Sequence, residues 1–405
     1  MERGWFSQHS PGRLVPITLS GVRPTPGGRV EADPIETVAF VPNPLPPDLD
    51  WGSLKASQYE RLEAASAALG RVNGLVTLVP NARALLRSLW LREAKLSSEI
   101  ENIQTTALDM VIAGNKSDTV EGDPARETFN AVTALERGLG ADLPFSVDLI
   151  QSMHRDLLED VRGGEKQPGA FRASQVYIGS PTRPERARFV PPPPGDGPDE
   201  IGGCMEALVA FVKSTPPEIP ALAAVALMHY QFEAVHPFAD GNGRIGRALI
   251  IHDMCRRGLL DQPVVFLSGY FEAHKQDYVN HLLRVSTSGD WDGWIGFFLD
   301  AVIHQAGQTV RLAERLIGLR SRFIERVQEA GAPARLLILI DELFRWPIAT
   351  ARGVSDLLGV TDPTARKDIT TLVDLGVLEP SSEASYGQIW HAPAVLGLIE
   401  GAGDD

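Results

Sequence analysis

His236-Pro237-Phe238-Ala239-Asp240-Gly241-Asn242-Gly243-Arg244-Ile245-Gly246-Arg247 is the stretch on which the reading of this 405-residue chain turns. Upstream of it, Leu222, Val225, Leu227, Met228 and Phe232 recur at helical spacing. Pro237 ends that helix, because proline offers no N–H and its ring clashes with the preceding turn. Downstream, Arg247-Ala248-Leu249-Ile250-Ile251 starts a second helix. The stretch between is therefore a loop at a helix N-terminus, where unpaired amides and the helix dipole attract anions. Gly241 and Gly243 let backbone approach a phosphate closely. Asn242, Arg244 and Arg247 add side-chain donors, and an arginine fork matches phosphate oxygens. Asp240 sets a carboxylate beside that anion, which suits a bridging Mg²⁺. His236 can take a proton near neutral pH. A base, a metal carboxylate and a phosphate cradle so close in sequence predict a phosphoryl- or nucleotidyl-transfer site.

Two other motifs overlap this stretch and are rejected on context. Gly241-Asn242-Gly243-Arg244-Ile245-Gly246 fits the glycine pattern of dinucleotide-binding proteins, but that pattern follows a strand, and here a helix precedes it. His229, Glu233 and His236 are not in the order of a helical zinc motif, so His229 reads as a packed helix residue.

A chain of this length has room for two or three domains of about 100–200 residues each. With 43% hydrophobic and 22% charged residues it can bury a sizeable core. The net charge of −14 repels nucleic acid and anionic membranes, so any phosphate must be held by a local constellation. Cys204 and Cys255 lack metal-ligand spacing and read as free thiols in a reducing compartment. Neither a signal peptide nor a membrane span is expected, and a cytoplasmic protein is.

Residues 1–50 are rich in proline and glycine and read as an extended arm, lying on the body or partly disordered. From Trp51 to about Arg137 apolar residues recur at helical spacing. Helices are also expected over 146–160, 199–214, 219–235, 244–257, 272–287 and 291–315. Within 174–193, Val176-Tyr177-Ile178 and Arg188-Phe189-Val190 flank a Gly-Ser-Pro turn and predict a hairpin. Near the end, Ala334–Phe344, Ala351–Leu358 and Asp362–Leu375 read as helices, and Gly376–Glu379 with Gly387–Trp390 as two short strands. That order suggests a winged helix-turn-helix over 334–400.

His236 through Arg247 resemble the Fic family, whose motif runs H-P-F-x-[DE]-G-N-G-R-x-x-R, at every fixed position. The likeness extends to Pro168-Gly169-Ala170-Phe171-Arg172, the hairpin, Leu267-Ser268-Gly269-Tyr270 and Tyr278, covering roughly 140–305. It implies a mainly α fold: a Fic-type helical core over 141–330 with a β-hairpin flap, an N-terminal helical region over 51–140, and the C-terminal winged helix. It implies a protein adenylyltransferase that moves AMP from ATP to a protein hydroxyl. His236 would then be the base and Asp240 the Mg²⁺ ligand. Gly241, Asn242 and Gly243 would form the anion hole, with Asn242 and Arg244 on the phosphates and Arg247 on the γ-phosphate. The 176–190 flap would pin a target protein as an added strand and touch the nucleotide at Ile178 and Gly179. Tyr278 resembles the tyrosine near the adenine; its other reading is a core aromatic on a helix face.

Ser97-Ser98-Glu99-Ile100-Glu101-Asn102 matches the family's inhibitory pattern [ST]-x-x-x-E-[GN], with Ser97, Glu101 and Asn102 at the fixed positions. Its place before the catalytic region resembles the subclass with an N-terminal inhibitory helix. Glu101 would pair with Arg247 and keep it from the γ-phosphate. Dimerisation is compatible with that subclass. Two alternatives stand beside transfer: an AMP-removing hydrolase on the same site, with Glu101 positioning water, and a nucleotide-sensing DNA-binding regulator. In the expected recognition helix Asp362, Asp368 and Asp374 offset Arg366 and Lys367, which argues against DNA as a partner.

Overall fold

The computed structural model describes residues 3–19, 22–24, 30–32, 34–78, 82–115, 123–139, 143–161, 167–179, 187–381 and 388–401. The fold is mainly α, and its centre is a helix hidden almost all round. This helix, α8 (Ala221–Val235), buries every residue from Leu222 to Val235 except Glu233. A helix apolar on all faces belongs in the middle of a helical body. Against it packs α9 (Asn242–Arg256), and the loop joining them is the motif of the opening paragraph.

Around that pair stand α5 (Pro124–Leu139), α6 (Val147–Leu157), α7 (Ile201–Lys213), α10 (Ser268–Ala273), α11 (Lys275–Ser288) and α12 (Trp291–Glu329). The last runs well past the expected end at 315. Its heptad-like row Leu312, Leu316, Leu319, Phe323 and Val327 stays buried, and no proline interrupts it. Ahead of these lie α1 (Trp51–Ser57), α2 (Tyr59–Leu78), α3 (Ala82–Ile100) and α4 (Ala107–Asn115). Asp50 caps α1, accepting from the amides of Gly52 and Ser53.

The first fifty residues are more than an extended arm. Strands β1 (Gly12–Leu19) and β4 (Ile35–Pro42) form an antiparallel ribbon with Leu14 opposite Phe40, and β2 (Val22–Pro24) and β3 (Val30–Ala32) form a separate short antiparallel pair. Proline and glycine content hid strands whose inner face, including Val38 and Phe40, is fully covered by the body.

The C-terminal elements follow the order expected, with additions. After α13 (Leu336–Arg345) come β5 (Ile348–Thr350), α14 (Ala351–Leu358) and α15 (Asp362–Asp374). Then β6 (Glu379–Pro380) and β7 (Ile389–His391) complete a three-stranded sheet in the order β5-β7-β6. The third strand, β5, had no signal in so short a run. A final helix, α16 (Pro393–Glu400), returns to the body.

These C-terminal elements grip α3. Ser88 donates to the carbonyl of Phe344 at 2.6 Å, Arg92 to that of Leu398 at 2.9 Å, and Lys95 pairs with Glu400 at 3.2 Å. From the other side Leu91 and Ala94 of α3 are fully buried. The helix that carries Ser97 and ends just before Glu101 is thus held from Ser88 to Lys95. Leu91→Ala is expected to lower unfolding stability by about 2–5 kcal/mol, measured as a shift of the urea midpoint at constant slope.

Candidate active site

The α8–α9 loop begins with an unusual backbone. His236 caps α8 in the left-handed region, φ 48° and ψ 61°, and its amide donates to the carbonyl of Phe232 at 3.0 Å. Pro237 disfavours the helical region for the residue before it, so the chain must turn at His236. A bulky residue held at positive φ costs roughly 1–3 kcal/mol and persists where its surroundings over-determine it. Here they do. Arg172 donates from Nε to the carbonyl of His236 at 2.9 Å and from its terminal nitrogens to the carbonyls of Ser174 and Pro192.

Gly241, at φ 77°, then leads directly into α9. The first intrahelical bond runs from Ile245 to the carbonyl of Gly241, so the amides of Asn242, Gly243 and Arg244 have no acceptor within the helix. Three unpaired amides at a helix start, with the helix dipole behind them, are suited to an anion.

Two of the expected phosphate donors are otherwise engaged. The Asn242 amide group accepts from the backbone N–H of Phe238 and donates to the carbonyl of Phe238, both at 2.8 Å. It staples the loop. Arg244 is buried and ion-paired to Glu127 at 2.9 Å, with Asp240 at 3.7 Å. Both side chains support the loop in this structure, and the Nε of Arg244 is buried without a hydrogen-bond partner. A bare glycine-rich turn does not hold one conformation without polar anchors.

A residue without any local sequence signal completes the scaffold. His154, on α6, is fully buried and stacks on Phe238 at 3.7 Å between ring centroids. Its Nδ1 accepts from the amide of Gly169 at 2.9 Å, so Nε2 carries the proton and donates to the carbonyl of Asp240 at 3.1 Å. Burial lowers its pKa to about 4, which keeps that donor–acceptor pattern fixed at neutral pH. The bonded residues lie 86 positions apart, and only the tertiary fold joins them.

A cavity of about 250 Å³ opens beside this loop. From the expected set, Glu101, Ile178, Gly179, His236, Gly243, Arg247 and Tyr278 line it, whereas Asp240, Gly241, Asn242 and Arg244 do not. Ile178 and Gly179 reach it because the expected hairpin forms, here as a single antiparallel bridge between Ile178 and Phe189; residues 180–186, its turn, lie outside the described residues. Tyr278 offers its ring but not its hydroxyl, which donates to Nε2 of His229 at 2.8 Å. His229, fully buried, in turn contacts the carbonyl of Gly246 through Nδ1.

The electrostatics separate the groups at the cavity wall. Burial, reinforced by the Arg172 charge, lowers the His236 pKa to about 4, so a neutral imidazole faces the cavity at pH 7. Burial raises Glu233 to about 7. Burial also opposes charge on Glu101, but the Arg247 guanidinium outweighs it and holds the carboxyl below its usual range. That pair is short: Arg247 donates to Glu101 Oε1 at 2.9 Å, while also donating to the hydroxyl and the carbonyl of Ser97 at 2.8 Å each.

Gly243 lies under this contact. A Cβ there would sit 2.1 Å from Glu101 Oε1 and 2.7 Å from an Arg247 nitrogen. Asn102 closes the end of α3 at φ 62°, the left-handed conformation that glycine and asparagine tolerate best, and accepts from Lys275 at 3.2 Å. The third fixed position of the 97–102 pattern is therefore a helix stop that sets the direction of Glu101.

Asp240 is the one expected metal ligand. Its carboxylate is partly exposed, accepts from the Gly241 amide at 2.7 Å and sits beside the α9 N-terminus. Among the described residues no three acidic, histidine or cysteine side chains converge as a metal cage. A single carboxylate next to a phosphate cradle fits Mg²⁺, which commonly takes one or two carboxylates and fills its other positions with phosphate and water.

Residues 59–140 match the Fic/DOC family N-terminal model and residues 144–252 the Fic/DOC family model. A protein adenylyltransferase Fic from Aedes aegypti is 30% identical over 155 residues, 37% of this chain and 26% of that protein. One from Drosophila willistoni is 28% identical over 174 residues, 42% of this chain and 30% of that protein. The chain thus spans less than a third of the length of either relative. A solved Fic family protein from Desulfovibrio desulfuricans aligns over 82% of this chain and 95% of its own, with a TM-score of 0.51 at 20% identity, a likeness of fold.

The state of His236 can be measured directly. Because folding disfavours its proton, its contribution to stability is full above about pH 6.5 and is lost as the pH falls towards 4. In a histidine-labelled NMR titration His236 should remain neutral down to about pH 5. A midpoint near 6.5 would contradict the burial argument.

Proposed function

This chain belongs to the Fic/DOC family through residues 59–140 and 144–252, and from that premise we propose that it is a protein adenylyltransferase. It moves AMP from ATP to a Ser, Thr or Tyr hydroxyl of a target protein, itself included, and rests in an inhibited state. The observation that carries this reading is that a neutral imidazole, His236, and the Gly243–Arg247 end of α9 face one cavity.

The step follows from that geometry. The target hydroxyl gives its proton to His236 while its oxygen bonds to the α-phosphorus, and the bond from that phosphorus to pyrophosphate breaks. The free amides of Asn242, Gly243 and Arg244 take charge developing on the phosphate oxygens. Mg²⁺ held by Asp240 would neutralise charge on the phosphates when bound. Ile178 and Gly179 of the flap border the nucleotide, and Tyr278 forms the wall on which the adenine rests.

The inhibition rests on the Glu101–Arg247 pair. Arg247 is buried while Glu101 is partly exposed at the cavity edge, and removing the acid frees the guanidinium for an anion. The cavity of about 250 Å³ lies just below the roughly 300–1,000 Å³ usual for ligand sites, with Glu101 at its edge. The same placement supports a second reading, in which Glu101 orients water to remove AMP from a modified target.

The chain would act in the cytoplasm. Both cysteines are unpaired, and burial pushes their thiols up to about 11 and about 12, so they take no part in the chemistry. No described helix is long and apolar enough to cross a membrane.

Two substitutions test the proposal with α-labelled ATP and mass spectrometry of the product. Glu101→Gly is expected to raise automodification at least about tenfold, the effect of roughly 1.4 kcal/mol. His236→Ala in the Glu101→Gly background should abolish labelling without lowering the melting temperature by more than a few degrees. Labelling that persists in the double variant would overturn the mechanism. Loss of AMP from a modified target in the presence of Glu101 alone would favour the hydrolase.

A further inference from the structure

The flap does not stand by itself. Ile178 directs both its backbone groups at the 187–189 segment: its amide donates to the Phe189 carbonyl at 2.8 Å, and its carbonyl accepts from Arg188 and Phe189. Alternation along an extended chain then turns the Val190 carbonyl to the opposite side. There it accepts the amide of Phe40 at 2.8 Å. β4 is therefore hydrogen-bonded to the back of the flap, and β1 is paired to β4 beyond it.

Side chains reinforce this seam. Ala39 of β4 forms a small buried cluster with Ala187 and Val190, covered by Val15, Ile17 and Tyr177. Phe40 is fully buried, 5.7 Å from Phe189, which lines the cavity, and stacks on Phe6 from behind at 5.5 Å. The ribbon is itself tied to the body. Gln231 of α8 donates to the carbonyl of Asn43 at 3.0 Å, and Arg13 pairs with Asp199.

The outer edge of this sheet is interrupted. Because Phe40 turns its amide to Val190, the Phe40–Leu14 and Val38–Pro16 pairs are not hydrogen-bonded to each other, and the outward positions on β1 include Leu14 and Pro16, the second of which has no N–H to offer. A proline on an edge strand is a common guard against unwanted strand addition. The remaining edge runs along Tyr177 and Gly179, whose backbone groups alternate away from Phe189 and which lead into the cavity at Ile178 and Gly179.

We propose that the N-terminal ribbon forms two permanent strands of the flap sheet, closing its Val190 edge, so that an extended acceptor segment adds only along Tyr177–Gly179. This rests on the transfer reading above. The ribbon holds the flap over the nucleotide and aims the acceptor hydroxyl at His236 without touching either.

The test uses the full chain with Glu101→Gly as parent and a His236→Ala copy of the same chain as acceptor. Phe40→Pro removes the amide that binds Val190, and Phe40→Ala keeps it. With both variants shown to be folded by their melting curves, Phe40→Pro should speed hydrogen exchange at the Ile178 and Phe189 amides about tenfold. It should raise KM for the acceptor by a similar factor while KM for ATP stays within about twofold. Phe40→Ala should give a smaller change at the same two amides; if Phe40→Pro does not fold, Phe40→Ala and Phe6→Ala serve in its place. Unchanged exchange at these amides, or accelerated exchange with an unchanged acceptor KM, would overturn the proposal. A parent that labels nothing would instead overturn the transfer reading, and the exchange result alone would then decide whether the ribbon belongs to the flap sheet.

Discussion

Arg247 is a guanidinium buried on the second turn of α9, and a charge in that position must be answered by the fold. The answer comes from α3, 146 residues earlier in the chain, through Glu101 and through both oxygens of Ser97. Much follows from that one contact. It sets the depth of α3 against α9, and a side chain at 243 would displace the carboxylate above it. It also requires a helix stop at Asn102 so that Glu101 turns inward. The C-terminal elements then hold α3 from outside, through Phe344, Leu398 and Glu400. A shift of those elements would be felt at Arg247, because packed helices move as units and do not deform continuously.

The motif loop divides its residues into two kinds. His236, Gly243 and Arg247 face the cavity, while Asn242, Arg244, Phe238 and Gly241 build the turn that presents them. The builders depend in turn on His154 and Arg172, both buried and both spending their donors on backbone carbonyls. This explains how a neutral His236 can stay at positive φ with its ring aimed into the cavity. The same buried surroundings that hold the backbone also lower its pKa, so position and protonation state share one cause. Polar networks of this kind are costly when half satisfied, which makes them rigid when complete.

Much of the site was legible in the sequence because its determinants are local. Glycines at 241 and 243, a proline after His236 and an apolar run on either side specify a loop at a helix start whatever surrounds them. The 97–102 pattern is equally local, since a serine and a glutamate four apart share one helix face. Helices α7, α8 and α9 were read close to their observed limits, whereas the expected end of α12 fell well short of Glu329. The strands of the first fifty residues were not, because strand character there comes from burial against the body rather than from composition. For the same reason β5 escaped notice, three residues whose pairing partner lies about forty positions later.

By itself, then, the sequence determined a helical protein with an anion-binding loop, a base beside it and a glutamate on an earlier helix fit to pair with an arginine. Only the tertiary structure decided which of those polar residues line the cavity and which also anchor the loop, as Asn242 does on Phe238 and Arg244 beside Glu127. It also brought His154 to the loop and laid the N-terminal ribbon against the flap. The physical reason is the range of the forces involved. Backbone propensity, capping and helix dipoles act over a few residues, whereas burial, charge pairing and strand addition depend on what the folded chain brings alongside.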